Sequence, residues 1–122
     1  MCGIFGMYGS VDEDLLKEMA KILRHRGPDE SGLFIDDGVG LGNVRLKIID
    51  LATGRQPIFN EDGSIIIVYN GKIYNFKELR GELEEKGHEF YTSTDTEVIV
   101  HAYEEYGYDC VKKCNGMFAF AL

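Results

Sequence analysis

Four places along this chain hold residue types that could do chemistry together. Cys2 follows an initiator methionine, and aminopeptidases remove that methionine when the second residue is small. The processed chain would begin with a thiol of pKa ~8.5 beside an amine of pKa ~7.7–8.0, a nucleophile carrying its own base. A threonine with an N-terminal amine is the hydroxyl version of that arrangement. The structural reading of Cys2 is a small hydrophobe at a strand start. Gly3 and Gly6 favour the chemical one, because missing side chains leave room for a substrate. Asn70-Gly71 reads first as a type I′ hairpin turn after an apolar strand. Yet Ile73 and Tyr74 lead to a helix cap at Asn75 rather than to a returning strand. An amide side chain and a glycine N–H would then be two donors for a developing oxyanion. Arg45 shares an alternating face with Val39, Leu41 and Asn43, as a solvated rim residue or as a clamp for a carboxylate. Asp95 opens a helix, as a cap favoured by the helix dipole or as a counter-ion for an ammonium group. Arg45 and Asp95 together suit an α-amino acid.

These residues need elements to carry them. The segment from Cys2 to Tyr8 reads as a short buried strand. Ser10 with Glu13 forms a capping box, and Leu15, Leu16, Met19, Ile22 and Leu23 follow at helical spacing. The stretch Arg24 to Ser31 is a charged, turn-rich loop. Gly32–Asp36 and Val39–Leu46 read as strands joined at Asp36-Asp37-Gly38, a hairpin signal. Lys47 to Phe59 is a connecting loop, and Asp62-Gly63 turns into the strand Ser64–Tyr69. Asn75 and Glu78 cap a second helix that Gly87 stops. His88–Tyr91 reads as a short strand, Asp95–Tyr106 as a third helix, Cys110–Cys114 as a helical piece and Met117–Leu122 as a last strand. Strand pairs adjacent in sequence beside helices make the class α+β with antiparallel sheet. That last, wholly apolar strand is of an interior type, so the chain reads as part of a longer polypeptide. Its unpaired edge is expected to invite self-association.

Composition narrows the classes. The 122 residues set a prior of one domain. The net charge of −8 disfavours broad nucleic-acid or anionic-membrane binding. No apolar run reaches the ~18 residues of a membrane span, and no signal peptide is visible. Three cysteines argue against a closed disulfide framework and fit a reducing, cytoplasmic compartment. No metal set is expected. Cys110 and Cys114 lack the usual zinc spacing, and His88 and His101 have no partner visible in the sequence.

The ordered motifs resemble a known family. The start Met1-Cys2-Gly3-Ile4-Phe5-Gly6 is similar to the opening of class II glutamine amidotransferases, the N-terminal-nucleophile glutaminases. His25-Arg26-Gly27-Pro28-Asp29, Arg45-Leu46-x-Ile48-Ile49-Asp50 and Gln56-Pro57-Ile58-x-Asn60 narrow the likeness to glutamine-dependent asparagine synthetases and related amidotransferases. So do Tyr69-Asn70-Gly71-x-Ile73-Tyr74-Asn75 and Gly116-Met117-Phe118-Ala119-Phe120-Ala121. The resemblance spans residues 1–122 and implies an αββα sandwich of two antiparallel sheets flanked by helices, incomplete at its C-terminus. It implies Cys2 as nucleophile, Asn70 with Gly71 as oxyanion hole, and Arg45 with Ile48 and Ile49 at the glutamine carboxylate. Asp95 would hold the glutamine ammonium group, with Arg26 and Gly27 on a loop close by. The implied substrate is L-glutamine and the implied partner a synthetase domain receiving ammonia, absent from this chain. The glutaminase itself would need no cofactor or metal; ATP and Mg belong to that missing domain. Lys72 stands where the family usually has Glu. A non-catalytic glutamine-binding or interaction module is therefore the rival reading, and a zinc domain built on the cysteines is a distant third.

Overall fold

Asp37-Gly38 is a two-residue hairpin turn, with Gly38 at φ +77°. From it β2 (Glu30–Asp36) and β3 (Val39–Arg45) zip antiparallel, Asp36 opposite Val39 and Glu30 opposite Arg45. On the other edge of β3 lies β1 (Gly3–Tyr8), also antiparallel, Gly3 opposite Val44 and Tyr8 opposite Val39. A second antiparallel sheet has β5 (Ile66–Ile73) at its centre, between β4 (Ile58–Phe59) and β6 (Gly116–Ala121). β5 lies against β1 and β3, so the two sheets stack. Helix α1 (Glu13–Leu23) covers β1 and β3 from outside, and α3 (Asp95–Tyr106) covers β4 and β5, with α2 (Phe76–Glu85) along its side. The short α4 (Cys110–Lys113) follows a 3-10 turn and leads into β6. This computed structural model, which describes all of residues 1–122, is the expected α+β architecture of two antiparallel sheets with helices outside. No helix is long and apolar enough to cross a membrane.

The larger core fills the space beneath α3. Ile67, Tyr69 and Ile73 of β5 meet Leu79 and Leu83 of α2 and Ile99 of α3. Helix α1 is more lightly anchored, since Leu16 is its only buried residue. Leu16 sits over Gly40, where a Cβ would come within 2.6 Å of its side chain.

Several local expectations are corrected. Asp12, not Ser10, caps α1, its carboxylate accepting the Leu15 N–H at 3.0 Å. Asn75 makes no cap bond. Its side chain instead accepts the Asn115 N–H at 2.8 Å and donates to the Lys113 carbonyl at 2.9 Å, tying the start of α2 to the turn before β6. Residues His88 to Tyr91 form no strand. Carboxylates, not a neighbouring strand, take their backbone donors: Glu61 accepts the Glu89 N–H and Glu97 that of Tyr91, both at 2.9 Å. Asn70-Gly71 is no turn either, because β5 runs through it to Ile73. Glycine is needed at 71 for close approach of β6, where a Cβ would lie 2.4 Å from the Met117 carbonyl oxygen.

Burial at Leu16 sets the attachment of α1. Leu16→Ala is expected to lower the unfolding free energy by about 2–5 kcal/mol in urea titration. A loss below about 1 kcal/mol would mean that α1 contributes little to the cooperative core.

Candidate functional site

The first two functional candidates are brought together by strand register. Continuing the β1–β3 pairing by one residue beyond Gly3–Val44 sets Cys2 opposite Arg45. Neighbours across a ladder share a face. Gly3 and Val44 face α1, since a Cβ on Gly3 would meet Val44 at 3.0 Å and Leu23 at 3.4 Å. Cys2 and Arg45 therefore face the other way, toward the second sheet. The same geometry corrects one expectation. The missing side chain at Gly3 makes room for α1, and that at Gly6 for the Gly40 carbonyl oxygen, not for a substrate.

Arg45 is almost entirely buried. It pairs with Glu30 at 2.9 Å and donates to the carbonyls of Ile49 at 2.8 Å and Asp50 at 2.6 Å. Burial opposes the ionised form of Glu30, but hydrogen bonds from Lys47 and Arg45 outweigh it and hold that carboxyl below its usual range. The guanidinium thus fixes the 46–50 loop while its remaining N–H groups stay free for a ligand. Asp50 extends the same knot. Its carboxylate accepts the Thr53 N–H and the Ser93 N–H, both at 2.7 Å, and the Thr53 hydroxyl. Burial works against that anion, yet these donors hold its pKa down to about 2. The loop after β3 is thereby joined to the segment that enters α3.

Asp95 is the first residue of α3 and is buried. Its Oδ2 accepts the Tyr69 hydroxyl at 3.1 Å and the Ile73 N–H at 2.9 Å. Burial and the facing carboxylate push the Tyr69 phenol far above its ordinary range, so it remains a donor. Thr94, not Asp95, is the cap of α3, its hydroxyl accepting the Glu97 N–H. Asp95 keeps Oδ1 for another partner. Because Tyr69 points to α3, alternation turns Asn70 toward the first sheet.

Cys2, Arg45, Ile48, Ile49, Asn70, Gly71 and Asp95 line one cleft of about 90 Å³ between the sheets. Lys72 is there too, its ammonium 5.6 Å from the Phe76 ring. Arg26 and Gly27 are not in its lining. Arg26 Nε donates to the Cys2 carbonyl at 3.2 Å, and Gly27 packs on the backbone of Val44 and Arg45, where a Cβ would come within 2.4 Å. Their loop steadies the strand end behind the thiol. Sequence reasoning gave Gln56 no role. Its buried side chain accepts the Tyr69 N–H at 2.6 Å and donates to the Tyr69 carbonyl at 3.1 Å, standing in for a strand next to Asn70. Gln56 and Thr94 also line the cleft.

The arrangement offers a thiol, a cation for a carboxylate, an anion for an ammonium group and an amide beside a glycine. Known proteins carry the same segment. The glutamine amidotransferase domain family matches residues 1–122. The whole chain aligns at 48% identity with 21% of an asparagine synthetase [glutamine-hydrolyzing] 1 of Arabidopsis thaliana. It aligns at 44% identity with 20% of asparagine synthetase [glutamine-hydrolyzing] 1 of Bacillus subtilis. The chain thus spans about a fifth of the length of the curated relatives it matches. Among solved structures, the glutamine phosphoribosylpyrophosphate amidotransferase of B. subtilis superposes with a TM-score of 0.76 at 23% identity. That match covers 98% of this chain and 34% of the other, and it speaks for the fold. On the match over its full length, the chain belongs to the glutamine amidotransferase domain family.

Proposed function

We propose that this domain hydrolyses L-glutamine to glutamate and ammonia through a thioester on Cys2, the ammonia going to a synthetase partner of the asparagine-synthetase type. One observation carries the reading: Cys2, Arg45, Asn70, Gly71 and Asp95, distant in sequence, line a single cleft. Removal of Met1, itself exposed at the cleft mouth, frees the Cys2 amine as the base. Arg45 takes the substrate carboxylate, with Ile48 and Ile49 beside it, and Asp95 takes the ammonium group. The Cys2 sulfur then attacks the side-chain amide carbon, and its proton passes to the amine. Asn70 Nδ2 and the Gly71 N–H steady the oxyanion. When the intermediate collapses, the C–N bond breaks and the amine's proton leaves with ammonia. Water attacks the thioester through the same base, releasing glutamate and restoring the thiol. The step needs no cofactor; ATP belongs to the synthetase partner. Three free thiols, Cys2, Cys110 and Cys114, accord with a cytoplasmic setting.

Lys72 supports a second reading, a glutamine-binding module without turnover, because a cationic residue lines the cleft that would receive an ammonium group. Intact mass after incubation with a diazoketone analogue of glutamine separates the two. The expected product is a chain lacking Met1 with one adduct, mapped to Cys2. A Met1-free chain that binds glutamine but takes no adduct would establish the binding module instead.

Asn70→Ala is expected to lower glutamine turnover by ~10²–10³ while Cys2 still reacts with a small alkylating reagent. Unchanged turnover in that variant would remove Asn70 from the oxyanion hole.

A further inference from the structure

Away from the cleft, Glu61, His88, His101 and Glu104 each bring one ligand atom within 4.8 Å of the others. They come from three segments: the turn before β5, the loop between α2 and α3, and the second half of α3. His88 Nδ1 lies 3.3 Å from a Glu104 oxygen and 3.8 Å from a Glu61 oxygen. His101 Nδ1 lies 3.0 Å and 3.5 Å from the same two oxygens. Ligand atoms at the corners of a tetrahedron around Zn²⁺, each ~2.0–2.1 Å from the ion, stand about 3.3–3.4 Å apart. The four separations bracket that spacing.

The second ring nitrogens strengthen the assignment. His88 Nε2 meets Glu105 Oε2 at 3.0 Å, and His101 Nε2 meets Glu97 Oε1 at 3.3 Å. A carboxylate on Nε2–H leaves the neutral imidazole with its lone pair on Nδ1. Both Nδ1 atoms face the same two carboxylate oxygens, so a positive charge, whether protons or one metal ion, must lie among these four atoms. An outer carboxylate behind a ligating histidine is the usual support of a metal site. The outer groups are themselves fixed. Glu97 is fully buried and takes the backbone N–H groups of Tyr91 and Thr92. The second Glu104 oxygen accepts Asn60 Nδ2 at 2.8 Å, and Phe90 packs on the His101 ring at a centroid distance of 4.3 Å. The ligand rotamers are therefore set by packing and hydrogen bonds independent of any ion.

We propose that Glu61, His88, His101 and Glu104 bind one Zn²⁺ per chain in a four-coordinate site of two nitrogens and two oxygens, oriented by Glu105 and Glu97. Imidazole with carboxylate is a ligand set suited to zinc. Four protein ligands close the coordination sphere, so the ion's role is structural: it clamps the 61–63 turn and the 88–92 loop to α3. The site lies apart from the cleft, and Cys110 and Cys114 take no part.

The test uses the full chain, dialysed against chelator and then titrated with ZnCl₂ by calorimetry and thermal unfolding. One equivalent should bind and raise the unfolding midpoint, and Co²⁺ in its place should give the intense visible bands of a tetrahedral ion. His88→Gln and Glu61→Gln, both outside the buried core, should stay folded by circular dichroism and bind Zn²⁺ more than about 100-fold more weakly. Glu105→Gln, which removes an orienting carboxylate and a surface pair with Lys86 but no ligand, should cost roughly 10–100-fold. Stoichiometric binding that survives in both ligand variants would put the metal elsewhere and overturn the site. So would a wild-type chain that takes up no Zn²⁺.

Discussion

The carboxylate of Asp95 ties the β5 side of the cleft to helix α3. One of its oxygens accepts from Tyr69 and from Ile73, residues on either side of Asn70-Gly71-Lys72. The stretch of backbone proposed to offer donors to a substrate is thus pinned at both ends by one anion. That anion sits in the first turn of α3, where the helix dipole favours negative charge. The elevated pKa of Tyr69 keeps the phenol a donor across ordinary pH. Gln56 repeats the device by pairing with both backbone groups of Tyr69. Loss of either clamp would free the strand at Asn70 and Gly71, the two proposed oxyanion donors.

The hairpin at Asp37-Gly38 and the bounds of α3 were legible because local signals and tertiary context agree there. The capping error at α1 has a plain cause. Asp12 and Ser10 are both competent caps, and the choice depends on where the chain leaves β1. The false strand at His88–Tyr91 has a deeper one. The N–H groups of Glu89 and Tyr91 are taken by Glu61 and Glu97 from other segments and that of His88 by the Leu83 carbonyl, and no periodicity reveals such partners. At Asn70-Gly71 the dipeptide's turn preference is overridden by β6, whose backbone comes too close for any side chain at 71.

The site was legible to a different degree. Cys2, Arg45, Asn70 and Asp95 each allowed a structural reading and stood out together, as a nucleophile, an oxyanion donor and a charge pair suited to an α-amino acid. Their convergence follows from register, which the sequence shows only as alternation. Gln56, Thr94 and the Asp50 knot were not visible, since each acts through backbone atoms of a distant segment. Arg26 and Gly27 show the opposite case. Their motif was conspicuous, yet their contacts are with the Cys2 carbonyl and the β3 backbone. They act through the position of the thiol.

Helix α3 joins these features. Residues 95 to 102 are all buried, yet they include Asp95, Glu97 and His101, which apolar residues could replace at lower desolvation cost. Each of the three is bound by groups outside its own turn, so each fixes the helix against a different segment. Asp95 fixes it to β5, Glu97 to the 91–92 backbone, and His101 to the Glu61–Glu104 cluster. His101 lies six residues beyond Asp95, roughly 9 Å along the helix at 1.5 Å per residue. A helix held at both ends cannot slide or rotate without breaking polar contacts that have no water to replace them. That rigidity is what the proposed chemistry would require of a cleft built from separate segments, because a shift of about 1 Å between a nucleophile and its oxyanion donors is enough to cost ~10²-fold in rate.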